Sequence, residues 1–314
     1  MLTGKSAKIQ YWILKEHNSL EDIKIFLHDY YEEIIDSNIS LYYRWASENN
    51  FEVEEYEIDN INIRYLLVYA DLDILRLKKE EVSCVPRDIA VGTRRSHVLF
   101  VERKGSIIVL VASSKSYFSK IRTKLFKNGK MQWGELSYKD ISLEREFFYW
   151  LMSKKGYQIQ LGTEEYILHD LDAFNCITER EQHQYKGTGQ GIDEEAPVGA
   201  MVSLKNFFTG LGIMLGNNKN IIKFTLFNNL ETDISFLDSH ILTDNGFDFF
   251  KGPDLVLKIY FQIIPALLMA YNCQRSTWSH DEKEFRKVVA LRAIREIMNE
   301  TELSIQDIEK LAWE

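Results

Sequence analysis

Residues 97–103 and 106–112 are two apolar, β-favouring runs with only Lys104-Gly105 between them. So short a connection turns the second run back alongside the first, and glycine tolerates the positive φ that a tight turn needs. The stretch predicts an antiparallel hairpin over 97–112 with Gly105 in its turn. On either side the signals are mixed. Ser19 and Asp22 resemble a capping box, and Leu20, Ile23, Phe26, Leu27, Tyr30 and Ile34 then recur at helical spacing, which predicts a helix. A strand is expected over 61–70 and a helix from Ser114 to Phe126. Ser142 would cap a further helix over 143–155, ended by Gly156.

Beyond Gly156, short strands are expected at 157–161, 165–168, 221–227 and 233–237, with a flexible glycine-rich loop among them. The final third reads as helical. Pro253 suits the first turn of a helix over 254–272, which Pro265 should kink. "SHDE" (279–282) reads as the capping box of a second helix over 280–299. These two helices are expected to pack as an antiparallel pair over the 221–237 strands. Strands and helices do not alternate strictly, so the expected fold class is α+β in two parts. An N-terminal α/β part, 1–156, holds the hairpin and a basic helix; in a C-terminal α+β part, 157–314, helices cover a strand-containing segment.

Net charge would argue against a polyanionic partner, because the chain stands at −9. Its distribution argues for one. Arg94, Arg95, Arg103, Lys104, Lys115, Lys120, Arg122, Lys124, Lys127 and Lys130 are opposed between Arg94 and Gly134 by Glu102 alone, a local +9 that leaves −18 for the rest. Residues 16–81 hold seventeen acids against six Lys/Arg, and 164–254 hold fifteen against six, so the basic centre has acidic flanks. Lysines and arginines that neutralise phosphates supply sequence-independent affinity for nucleic acid, and neighbouring aromatic rings stack on unpaired bases. Arg94, Arg95, Lys115, Lys120, Arg122, Lys124, Lys127 and Lys130 are therefore the candidate contacts. The bland alternative is that they balance the protein's own acids.

"VERK" (101–104) invites a catalytic reading, since an apolar strand running into Glu102-Arg103-Lys104 reads like the second half of a PD-(D/E)xK nuclease site. Glu102 and Lys104 would share a strand face, and Asp71 or Asp73 would supply the second carboxylate for Mg²⁺. The simpler reading makes them turn residues in water. In "HDLD" (169–172), period-two alternation puts Asp170 and Asp172 on one face and His169 on the other. "LDSH" (237–240) sets Asp238, Ser239 and His240 side by side, an order in which triad members seldom converge. The glycines of "YKGTGQG" (185–191) precede Asp193, Glu194 and Glu195, which would repel a phosphate.

Cys84, Cys176 and Cys273 are odd in number and widely spaced, so neither a disulfide framework nor structural zinc is expected, and the compartment expected is reducing cytoplasm. The most apolar run, 255–271, is shorter than the roughly 20 residues of a membrane span and carries Lys258, Gln262 and Pro265. A buried helix is expected there, with no membrane partner. The N-terminus lacks the pattern of a signal peptide. The leading expectation is a cytoplasmic, non-enzymatic binding and assembly protein that contacts nucleic acid through its basic hairpin–helix unit. Its C-terminal helices would meet a second copy or a protein partner, and no cofactor or resident metal is expected. Lys-, Ile- and Asn-rich usage suggests an AT-rich prokaryotic or phage genome, and with it a role in genome defence. The alternatives are a Mg²⁺-dependent nuclease using Asp71, Asp73, Glu102 and Lys104, and a protein–protein scaffold that touches no nucleic acid.

Overall fold

The computed structural model describes residues 5–78, 81, 85–127, 133–137, 142–178 and 183–307. In chain order its elements are β1 (Ser6–Leu14), α1 (Leu20–Phe26), β2 (Tyr30–Ile34), β3 (Ser40–Ala46), β4 (Glu54–Ile58), β5 (Ile61–Leu75), α2 (Arg87–Ala90), β6 (Val91–Arg103), β7 (Ser106–Ala112), α3 (Lys115–Lys124), β8 (Leu136–Ser137) and α4 (Arg145–Ser153). There follow β9 (Gln158–Leu161), β10 (Glu164–Ile177), β11 (Gln184–Thr188), α5 (Ala196–Ser203), β12 (Phe207–Gly216), β13 (Asn220–Phe227), β14 (Thr232–Ser235), β15 (His240–Thr243), β16 (Gly246–Phe249), α6 (Gly252–Lys258) and α7 (Ile264–Thr301). The fold class is α+β. Two compact units divide the chain. The first gathers Met1–Ile141, Leu230–Phe236 and Phe250–Ile259; the second gathers Ser142–Asn229, Leu237–Phe249 and Tyr260–Glu314.

The first unit is built on an antiparallel sheet in the order β14-β1-β7-β6-β5-β3-β2, with β4 paired to β5 and β8 to β1. Its centre is the expected hairpin. β6 and β7 pair from Val98↔Val111 to Arg103↔Ser106, and Lys104 and Gly105 turn the chain at φ of 48° and 73°. Positive φ at both central residues is the type I′ geometry whose twist matches the strands it joins. One sheet face carries α1 and α3 over Val98, Phe100, Val109, Val111, Leu66 and Val68, all buried. Trp45 meets Phe100 and Phe126 edge to face, as Phe126 meets Trp133, and Phe100 stacks on Trp133 to close this core.

The helix expected from Leu20 to Ile34 stops at Phe26. Tyr30 and Ile34 belong instead to β2, paired to β3 from Tyr30↔Arg44 to Ile34↔Ser40. A separation of four residues is even, so it fits one face of a strand as well as one face of a helix. β1, which no pattern in the sequence announced, pairs with β7, β14 and β8.

In the second unit the sheet order is β11-β10-β12-β13, with β9 on β10 and the hairpin β15–β16 on β13. The glycine-rich stretch is an ordered part of it rather than a flexible loop. Its β11 pairs with β10, and the Gly189 N–H donates to the Asp172 carbonyl at 2.8 Å. The expected antiparallel helix pair is absent. The chain stays helical from Gly252 to Thr301, so "SHDE" lies inside a helix. Glu282 there pairs with Arg286 at 3.0 Å one turn on, and Trp278 packs on Phe285, so the segment that resembles a start is held as a middle. Pro265 leaves the N–H ladder one donor short, and the helix answers with a π turn over Ile259–Ile263 just before it. The helix packs on α5, α4 and β9 rather than over the strands of 221–237. Its apolar window is long enough to cross a membrane, and 67% of that window is buried inside the protein.

Candidate nucleic-acid interface

α3 has a simple internal logic. Tyr117, Phe118 and Ile121 point into the core with Leu125 just beyond, and Phe118 stacks on Trp12 at 4.7 Å. With those positions inward, a 3.6-residue period places Lys115 and Arg122 on one flank, Lys120 and Lys124 on the other, and exposed Ser116, Ser119 and Thr123 between them.

The cations of the basic window meet two different fates, and Arg95, next to Arg94 on β6, stands on the sheet face opposite α3. Some are matched by acids. Arg95 donates to both oxygens of buried Asp71 at 2.7 and 2.8 Å, Lys124 meets Glu33 at 2.5 Å, and Lys115 stands 3.5 Å from Glu231. Others lie on aromatic rings instead. Arg94 sits 4.2 Å over Tyr117, Arg122 5.6 Å over Trp12, and Lys127 3.8 Å over Tyr31. Arg94, Arg122 and exposed Lys120 form no ion pair with an acid among the described residues, whereas Lys127 also feels the Glu33 carboxylate. A ring holds a cation in place without cancelling its charge, so the positive potential remains directed outward. Partial burial, with Lys124 nearby, lowers the Lys127 pKa, so Lys127 loses its proton at a lower pH than an ordinary lysine. Lys130 lies outside the described residues.

The four nuclease candidates are not brought together. Asp71 is held by Arg95, while Asp73 pairs with Arg87 and accepts from Thr93 Oγ1 at 2.7 Å and the Tyr42 N–H at 3.1 Å. Glu102 binds Arg64 at 3.0 Å and accepts the Leu20 N–H at 3.2 Å. Arg64 and Asp71 lie seven residues apart on β5, which separates Glu102 from Asp71 by roughly 23 Å. Lys104 is a turn residue. Among the described residues no three His, Cys, Asp or Glu side chains are grouped to hold a metal.

The alternation read into "HDLD" fails for a physical reason. β10 carries bulges between Leu168 and Asp170, between Leu171 and Ala173, and between Asn175 and Cys176. Each bulge resets which way the next side chain points. His169, Asp172 and Asn175 consequently lie over Gly216, Gly212 and Gly210 of β12, and a Cβ on Gly216 would stand 2.5 Å from His169 Nε2. Asp170 is buried apart from them and accepts the Gly191 N–H at 3.2 Å. Beside it Lys155 reaches Asp193 and Glu194, both at 2.8 Å. Of "LDSH", Asp238 pairs with Lys223 at 3.3 Å, Ser239 Oγ accepts the Lys223 N–H at 2.9 Å, and His240 leans on Phe247.

Sequence reasoning missed Arg44 and Arg87, which lie outside the basic window, and the rings beneath the cations. Lys124 and its ring Tyr43 are far apart in the chain, and no spacing rule connects a helix to a strand at such a distance. Comparison of the chain with models of known families and with curated proteins gives no match.

Proposed function

We propose that this protein binds nucleic acid through the surface of α3 and the strands beside it. The observation that carries the reading is the set of cations that form no ion pair with an acid among the described residues: Arg94 and Arg122 on rings, and Lys120 in the open. Charges meant only to balance the molecule's own acids would be paired with them. Here the paired group (Arg95, Lys115, Lys124) fastens the fold, and the remainder is left for an external anion. Ser116 and Ser119 on the crest of α3 add hydroxyl donors for phosphate oxygens.

The test is binding of fluorescent single- and double-stranded DNA and RNA across a salt series. Lys120→Ala with Arg122→Ala should weaken binding of every sequence alike, and the slope of log K against log salt should shrink by up to about two units. No measurable binding by wild type at roughly 50 mM salt, where the Debye length is long and phosphate contacts are strongest, would defeat the reading. A second reading, assembly with another protein, has its own support in exposed Leu242, Phe247 and Phe249 of the β15–β16 hairpin and exposed Val288, Leu291 and Ile294 of α7.

A further inference from the structure

Beside the edge strand β2 lies a cavity of about 550 Å³ whose walls include His28, Asp29, Tyr30, Tyr42, Arg44 and Phe51. The sheet itself assembles it. β2 and β3 pair with Tyr30 opposite Arg44 and Glu32 opposite Tyr42, so Tyr30, Arg44 and Tyr42 stand on one sheet face. Tyr30 is 67% exposed and Tyr42 37%, an unusual allowance for two large rings on adjacent strands. His28 meets Phe51 edge to face at 5.1 Å. Arg44 is exposed with no acidic partner among the described residues, and Arg87, fastened to Asp73, lies 5.3 Å over the Tyr42 ring.

Resting on the nucleic-acid reading, we propose that this cavity receives one unpaired nucleobase of a single strand, stacked on Tyr30 or Tyr42, with its phosphate on Arg44. The exposed Tyr30 ring suits a flat π system, whatever the base, while Arg87 already covers one face of Tyr42. Asp29 supplies an acceptor for a base amine, and the unmatched charge of Arg44 favours a ligand that carries phosphate over a neutral sugar. The volume is that of a small-molecule pocket and admits a mononucleotide. A stacked base pair presents no free ring face, so duplex would gain nothing here. Tyr31, the next residue along β2, points to the other face of the sheet, where Lys127 lies over it, so a strand leaving the cavity would pass round the β2 edge to reach α3.

The test uses the full chain with three probes: a twelve-nucleotide single strand, the matching duplex, and adenosine monophosphate followed by tryptophan fluorescence, since Trp45 lines the same cavity. Tyr30→Ala and Tyr42→Ala should each weaken single-strand binding about tenfold with an unchanged salt slope and unchanged duplex affinity. Tyr42→Phe should restore it. Arg44→Ala should weaken adenosine monophosphate but not adenosine. Lys120→Ala, by contrast, should weaken single strand and duplex together. If wild type binds both polymers and the tyrosine variants bind the single strand equally well, the base pocket is wrong and the basic surface stands. Monophosphate binding that is lost in Tyr42→Ala, in the absence of any polymer binding, would leave a mononucleotide pocket and overturn both the single-strand proposal and the α3 surface. Binding of neither probe, or binding of maltose in preference to adenosine monophosphate, would overturn the pocket itself.

Discussion

Lys104 holds a φ of 48° with a Cβ attached, next to Gly105 at 73°. A side chain in that region costs about 1 kcal/mol, so Gly105→Val should lower stability by about that much or more in urea titration. Lys104→Gly should relieve the same strain and raise the midpoint. The hairpin was legible because its evidence is local: two runs, two turn residues, one allowed geometry. The cysteines carry a second residue-scale prediction. Burial pushes the Cys176 thiol up to about 12, whereas Cys273 is exposed. Maleimide at neutral pH should label Cys273 and spare Cys176 until the protein unfolds, because the thiolate is the reacting form. Peptide mapping separates both from Cys84, which lies outside the described residues.

Elements were legible where their own pattern decides them and obscure where a neighbour does. α4 begins at Arg145, close to its expected start, because Phe147, Phe148, Trp150 and Leu151 are apolar enough to demand burial wherever they lie. "SHDE" misled because a capping box and a helical ion pair draw on the same residue types. His280→Pro separates the two possibilities. At the first turn of a new helix proline would be welcome; inside the continuous helix it should cost about 3 kcal/mol, seen as a fall in the denaturation midpoint. The bulges of β10 were obscure for another reason, since nothing within one strand states what its partner's glycines will admit. Lys155 offers a test with a defined sign. Lys155 holds the Glu194 carboxyl below its usual range, so that contribution is present above the ordinary carboxylate pKa and lost as pH falls through the lowered value. Lys155→Met should therefore lower the melting temperature most near pH 7, where Asp170, Asp193 and Glu194 would be left facing one another. The deficit should shrink toward roughly pH 4 as carboxylates protonate.

For the molecule as a whole, the charge map was legible but its purpose was not, because a sequence records charges and not their partners. The fold uses part of the basic window internally and leaves part open. It also leaves apolar side chains in water along α7, where Val288, Leu291 and Ile294 are each about half exposed. Leu291→Glu with Ile294→Glu should leave the melting temperature nearly unchanged and, if this face joins copies, lower the mass seen by light scattering at tens of micromolar, an order-of-magnitude working range. The division of the chain has a consequence for biosynthesis. The first unit takes β14 and α6 from Leu230–Phe236 and Phe250–Ile259, which leave the ribosome after most of the second unit. Until they emerge, β1 has an open edge, so the nascent first unit waits, sticky and incomplete, for residues more than eighty positions downstream of its main body. Expression halted at Ile141 should yield aggregate, and the two units should become protease-resistant together rather than one after the other.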